Sequence, residues 1–199
     1  MDQPSAPVLA PSHSPEGTLF YLVGGSGEGK ARLLDYARAR LGDNHLVVFA
    51  HRYIMRGSDR GREDEIRLSN AEFALRKRHG LFVMSWESDG LTYGVGTEIN
   101  YWLARGLSVA VKGSRAYLGQ ALMAYPDMTV IWVTADEKMA AQRTPRRARG
   151  FQPESIEEGA HMSCGRSRTL GSRVVHICSN GTLSLAGEKL VSVLAGNAD

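Results

Sequence analysis

Apolar residues in this chain come in short runs separated by amphipathic stretches, and the alternation predicts strands and helices in turn. Leu19–Val23 is an unbroken apolar run with the length of a strand buried on both faces. From Lys30 to Leu41 the period changes. Leu33, Leu34, Ala37 and Leu41 share one helical face, Arg32, Asp35 and Arg38 lie off it, and Gly42 closes the helix. Leu46–Ala50 predicts a second strand buried on both faces. Thr97–Arg105 predicts a helix with Ile99, Trp102 and Leu103 inward and Gly106 as its stop. Leu107–Val111 reads as a central parallel strand, Ala116–Tyr125 as a helix and Met128–Val133 as a further central strand. Arg173–Cys178 is the last strand and Thr182–Leu194 a C-terminal helix. Strands alternating with helices predict an α/β fold, three layers deep, with a central parallel sheet and helices on both faces.

Two stretches break this rhythm. Between His51 and Glu98, Arg52, Arg56, Arg60 and Arg62 are interleaved with Gly57, Asp59, Gly61, Glu63 and Asp64. Such a segment is either a solvated loop or an anion-binding one. Ser69-Asn70-Ala71-Glu72 is a capping box that opens a short helix to about Arg78. Leu81–Trp86 and Leu91–Tyr93 then predict a hairpin turning at Asp89-Gly90. Residues 51–98 therefore form a small mixed insert within a domain spanning 18–196. In the second stretch, Lys138, Arg143, Arg146, Arg147 and Arg149 occur with no acidic residue before Pro153, and Pro145 and Gly150 interrupt the pattern. It follows a helix capped by Thr134-Ala135-Asp136-Glu137 and predicts an exposed basic loop or, over 143–155, a lid.

At 199 residues and 43% hydrophobic composition, one domain with an insert is expected. A net charge of +3 is too mild for nucleic-acid binding and suits a small anionic substrate. No apolar run approaches the ~20 residues that span a bilayer, so no membrane partner is expected. Residues 1–17 carry prolines at 4, 7, 11 and 15 and lack the basic start and apolar centre of a signal peptide. They read as a disordered tail, and the expected location is cytoplasmic. Cys164 and Cys178 do not make a disulfide framework, and His161 beside Cys164 lacks the rest of a metal ligand set. A chain of this size is compatible with a homodimer.

The chemistry concentrates in Gly24-Gly25-Ser26-Gly27-Glu28-Gly29-Lys30-Ala31, between the first strand and the first helix. Strand, Gly-rich loop and helix in this order make a P-loop. Its backbone N–H groups and the helix N-terminus cradle phosphate, and Lys30 adds a full charge for the β/γ-phosphates of ATP. The motif normally ends in Ser or Thr, whose hydroxyl meets Mg²⁺; Ala31 has none. Lys112-Gly113-Ser114-Arg115 stands at the carboxyl end of the Leu107–Val111 strand, where parallel sheets bind ligands. P-loop first, insert second and basic lid late is the layout of a small-molecule or nucleoside-monophosphate kinase.

Four further stretches occur in order: His51-Arg52-Tyr53-Ile54-Met55-Arg56; Leu68-Ser69-x-x-Glu72-Phe73; Ser85-Trp86-x-x-x-Gly90-Leu91-x-Tyr93-Gly94-Val95-Gly96-x-Glu98-Ile99; and Gly113-Ser114-Arg115-Ala116-Tyr117-Leu118. Together they resemble the ribose 1,5-bisphosphate phosphokinase family of phosphonate degradation, itself similar to guanylate kinases. The resemblance runs from about Leu19 to Leu194. It implies that ATP, with Mg²⁺, phosphorylates a phosphorylated sugar, ribose 1,5-bisphosphate, to 5-phosphoribosyl 1-diphosphate. It places Gly27, Gly29 and Lys30 on the ATP phosphates and Arg56 and Tyr93 on the acceptor phosphate. Arg52 and Arg115 are additional contacts, and Arg143, Arg147 and Arg149 belong to the lid. The chain departs from the family pattern at Gly25, Ala31 and Arg32, where Pro, Asp and Ser are usual, and at Lys112, where Asn is usual. A nucleoside-monophosphate kinase and a non-catalytic nucleotide-binding relative are the competing readings.

Overall fold

The structure is a computed structural model that describes residues 17–25, 28–42, 46–55, 65–88, 90–135 and 173–196. Its centre is β1 (Leu19–Val23), with every residue buried. Hydrogen-bonded parallel to it on one side is β7 (Ser108–Lys112) and on the other β8 (Thr129–Thr134). β2 (Val47–Phe49) flanks β7, and β9 (Val174–Cys178) flanks β8. Among the described residues this gives a five-stranded parallel sheet in the order β2-β7-β1-β8-β9.

The period-2 alternation of β1 sorts the core into two layers. Phe20 and Leu22 face α1 (Lys30–Leu41) and α5 (Leu183–Leu194), and pack on Leu33, Leu34, Ala37 and Leu190. Leu19, Tyr21 and Val23 face α3 (Glu98–Ala104) and α4 (Leu118–Ala124), and pack with Ile99, Leu103 and Ala121. The layers are helix, sheet, helix, as the sequence pattern predicts. No helix among the described residues is long and apolar enough to cross a membrane.

A second sheet, ordered β4-β3-β6-β5, shares the core layer of Tyr21 and Val95 and meets the carboxyl end of β7, where Lys112 approaches Glu65. It comprises β3 (Arg52–Met55), β4 (Glu65–Leu68), β5 (Phe82–Ser88) and β6 (Leu91–Gly96). β3 and β4 are parallel, and the β3–β6 and β5–β6 pairs are antiparallel. α2 (Asn70–Arg78) starts as its capping box predicts: Ser69 Oγ accepts the Glu72 N–H at 3.2 Å. Its Phe73 ring packs on Phe82 at 4.7 Å.

Two expectations are corrected. The Arg-rich start of the insert is not all loop, since Arg52–Met55 and Glu65–Leu68 are strands. Their pattern hid this: only Ile54 and Leu68 are buried, and charged residues occupy positions that line a site. The Leu46–Ala50 run is not a strand buried on both faces. β2 is an edge strand, half-buried throughout, and Leu46 is 71% exposed. The Arg38 guanidinium, 5.0 Å from the Phe49 ring centre, covers part of that edge.

Gly113 lets the second core layer close. A Cβ there would lie 2.1 Å from the Tyr21 ring, whereas Gly119 in α4 faces open space. Gly113→Ala should therefore destabilise by about 1–3 kcal/mol through overpacking. Gly119→Ala should be neutral or stabilise by up to about 1 kcal/mol through helix propensity. Urea unfolding midpoints of the two variants check the contrast.

Candidate active site

The backbone turns sharply after β1. Gly24 comes so close to β8 that a Cβ would sit 2.5 Å from the Val133 carbonyl oxygen. Gly29 caps α1 at φ 87°, a left-handed conformation that glycine adopts without a Cβ penalty. Between them the buried Gly25 N–H donates to the Glu28 carboxylate. Ser179, just beyond β9, braces the loop from outside: its Oγ donates to the Glu28 carbonyl at 2.8 Å. Ser26 and Gly27 lie outside the described residues.

Lys30, the first residue of α1, folds its side chain back over this loop. Its Nζ donates to the carbonyls of Gly24 at 2.6 Å and Gly25 at 2.7 Å. Burial pushes its pKa down to about 8; Glu28 opposes the shift, and the cations Arg115, Arg52 and Lys112 add to it. The ammonium thus belongs to a concentration of positive charge at the carboxyl end of the central sheet.

Arg52 enters from β3. Its Nη2 donates to Glu65 Oε1 at 2.7 Å, and its guanidinium stacks over the Tyr93 ring at 4.7 Å. Its Nε is buried with no hydrogen-bond partner among the described residues. Lys112 Nζ, from the end of β7, lies 3.7 Å from the same Glu65 oxygen. All three side chains are nearly buried, at 13% exposure for Arg52, 14% for Glu65 and 9% for Lys112. Tyr93 stacks on Trp86 at 5.7 Å, and Trp86 meets Tyr117 at 5.7 Å, which gives the cluster an aromatic wall. Below it the Tyr21 hydroxyl accepts the Ser114 N–H at 3.0 Å and anchors the turn that carries the exposed Arg115. Burial raises the Tyr21 pKa to about 12, so its hydroxyl stays protonated.

The structure thus brings Lys30, Arg52, Tyr93 and Arg115 to one region. Arg56, Arg143, Arg147 and Arg149 lie outside the described residues. Sequence reasoning missed Glu65 and Ser179 as parts of the site; it put Lys112 at the ligand-binding end of its strand and as a departure from the family pattern, and gave it no contact. Glu65 sits among many charged neighbours, and its partner Lys112 is distant in the chain. A small cavity of about 90 Å³ lies beside the loop, between Gly29 and Arg32 of the P-loop side and Ser179, Gly181, Thr182 and Leu183 beyond β9. The arrangement suits polyanions: donors and cations converge, and among the described residues the nearby carboxylates Glu28 and Glu65 are already engaged.

The chain is similar to several named proteins. It is 41% identical over 180 residues to the ribose 1,5-bisphosphate phosphokinase PhnN of Thiobacillus denitrificans, covering 90% of this chain and 94% of that protein. It is 48% identical over 176 residues to the PhnN protein of Desulfomicrobium baculatum, covering 88% and 93%. It is 44% identical to the one from Laribacter hongkongensis over 91% of this chain, but spans only 43% of that longer protein's length. A guanylate kinase from Anaplasma phagocytophilum shares the fold with a TM-score of 0.58 at 14% identity, covering 91% of this chain and 86% of that one. No family model matches the chain.

Glu65 is a counter-charge shared by Arg52 and Lys112. Glu65→Gln would leave Arg52 and Lys112 in buried surroundings without it, at a cost of about 3 kcal/mol. Added inorganic phosphate should recover part of the lost melting temperature, and more of it than in the wild-type chain. Calorimetric melts with and without phosphate check both effects.

Proposed function

We propose a function from one plain premise: the chain belongs to the ribose 1,5-bisphosphate phosphokinase family. It transfers the γ-phosphate of ATP to the 1-phosphate of ribose 1,5-bisphosphate, giving ADP and 5-phosphoribosyl 1-diphosphate, a step of phosphonate breakdown in the cytoplasm. The observation that carries this reading is the meeting of Lys30, Arg52 and Arg115 where the P-loop sheet faces the small sheet. The acceptor oxygen belongs to a phosphate ionised at neutral pH, so no general base is needed. What remains is to align and neutralise two polyanions, and that is what these side chains offer.

The ATP phosphates lie along Gly24–Gly29 at the N-terminus of α1, with Lys30 on the β/γ-phosphates. The cavity between Arg32 and Ser179–Leu183 takes the nucleoside end. Arg52 presents its unpaired Nε to the acceptor phosphate, with Tyr93 holding its guanidinium plane. Arg56 joins it, and Arg143, Arg147 and Arg149 close over the transferring group. Mg²⁺ arrives on the nucleotide. The described residues offer it no built site: Ala31 lacks the hydroxyl, Glu28 and Glu65 are engaged, and no group of three or more His, Cys, Asp or Glu could hold a metal.

ADP release followed with each acceptor tests the reading. Ribose 1,5-bisphosphate should support turnover and GMP should not, and Lys30→Ala should lower the rate at least about 100-fold. Turnover of GMP alone would contradict it. The pH dependence follows from the depressed pKa of Lys30. Below about 8 the free protein carries the ammonium that a polyphosphate needs. As pH rises through about 8 the amine becomes neutral and must be reprotonated on binding, so ADP affinity falls. Calorimetry in buffers of different ionisation enthalpy should show uptake of about half a proton at the midpoint.

A further inference from the structure

We propose that Lys112 is a catalytic residue whose ammonium lies between the donor and acceptor phosphates and neutralises the phosphoryl group as it is transferred. This rests on the kinase reading above. Lys112 is the last residue of β7 and pairs in register with Leu22 of β1, two positions before Gly24. The next residue ties the strands once more: the Gly113 N–H donates to the Leu22 carbonyl at 2.9 Å. By strand alternation Lys112 continues the face of Ala110, which belongs to the core layer beneath α1 and its phosphate loop. Yet its Nζ reaches 3.7 Å from Glu65 in the small sheet. The side chain therefore bridges from the ATP-binding loop to the acceptor-binding strands, and the phosphoryl group must cross that interval.

The convergence of cations supports the same placement. Glu65 Oε1 is shared by Arg52 and Lys112, and Lys30 and Arg115 add positive charge to the same region. Cations that converge in this way attract a polyanion such as a phosphate. The buried Arg52 Nε without a partner among the described residues is a donor prepared for that anion. A metal held by the protein at this point would face the ammonium at close range, and Glu65, the carboxylate beside it among the described residues, is already engaged. Lys112 supplies fixed positive charge there instead.

In the transfer, a 1-phosphate oxygen of the acceptor forms a bond to the γ-phosphorus. The bond from that phosphorus to the β–γ bridging oxygen breaks, and its electron pair leaves on ADP. No proton moves. Lys112 remains protonated and offsets charge on the equatorial oxygens.

The test compares the full chain with Lys112→Met and Lys112→Arg. At saturating ATP and ribose 1,5-bisphosphate, Lys112→Met should lower kcat by about 100-fold, with both KM values moving less than about fivefold. Lys112→Arg should keep at least about a tenth of the rate, a rescue by charge that a packing role would not give to the bulkier side chain. A second readout needs no acceptor. The pH midpoint of ADP binding reports Lys30, which Glu28, Arg115, Arg52 and Lys112 surround, and loss of one cation should move it up from about 8. If the wild-type chain leaves ribose 1,5-bisphosphate untouched, the kinase reading falls and the assignment falls with it; turnover by the wild-type chain that Lys112→Met retains overturns the assignment alone. A Lys112→Met kcat within about threefold of wild type, or a Lys112→Arg rate as low as that of Lys112→Met, overturns the assignment.

Discussion

A lysine ammonium folded onto the carbonyls of its own loop is the constraint on which the site depends. Lys30 is held by Gly24 and Gly25, and its burial makes the charged form costly. That position requires a loop free of side chains at its turns, a helix that begins at Lys30 and a strand that ends at Val23. It also requires that β8 and the segment beyond β9 come close enough to fix the loop, through Val133 and Ser179. The central sheet can be read as the scaffold that meets these demands at one edge.

The small sheet has a different physical logic. Its strands β3 and β4 bury few apolar side chains and instead carry Arg52 and Glu65 to the seam with the main sheet. Such a cluster gains little stability of its own, because desolvating charges offsets their attraction. Its value is preorganisation: Glu65 from one edge and the Tyr93 ring fix a guanidinium that would otherwise lose rotamer freedom on meeting a phosphate. The aromatic stack of Trp86, Tyr93 and Tyr117 joins this polar cluster to the apolar layer around Val95 and Ile99, so the site is set into the core.

How much of this was legible in the sequence differs by element. Leu19–Val23 and Lys30–Leu41 came out residue for residue, because apolar periodicity and flanking glycines agree there. Arg52–Met55 and Glu65–Leu68 did not, since strands that line a charged site lack the alternation that marks a core-facing strand. The edge position of β2 was equally hidden, because a continuous apolar run does not say how many neighbours a strand has. Lys30, Arg52 and Arg115 could be picked out by motif. The sharing of Glu65 between Arg52 and Lys112 is a contact distant in sequence, made by common residue types, and only the fold reveals it.

The central claim is that two phosphates meet at this seam and one phosphoryl group crosses it. The most direct measurement follows the label: ATP with ¹⁸O in its γ-phosphate is incubated with ribose 1,5-bisphosphate, and the products are resolved by mass spectrometry. The account predicts the label in the terminal phosphate of 5-phosphoribosyl 1-diphosphate. Label found only in inorganic phosphate, or transferred to GMP and not to the sugar, would contradict it.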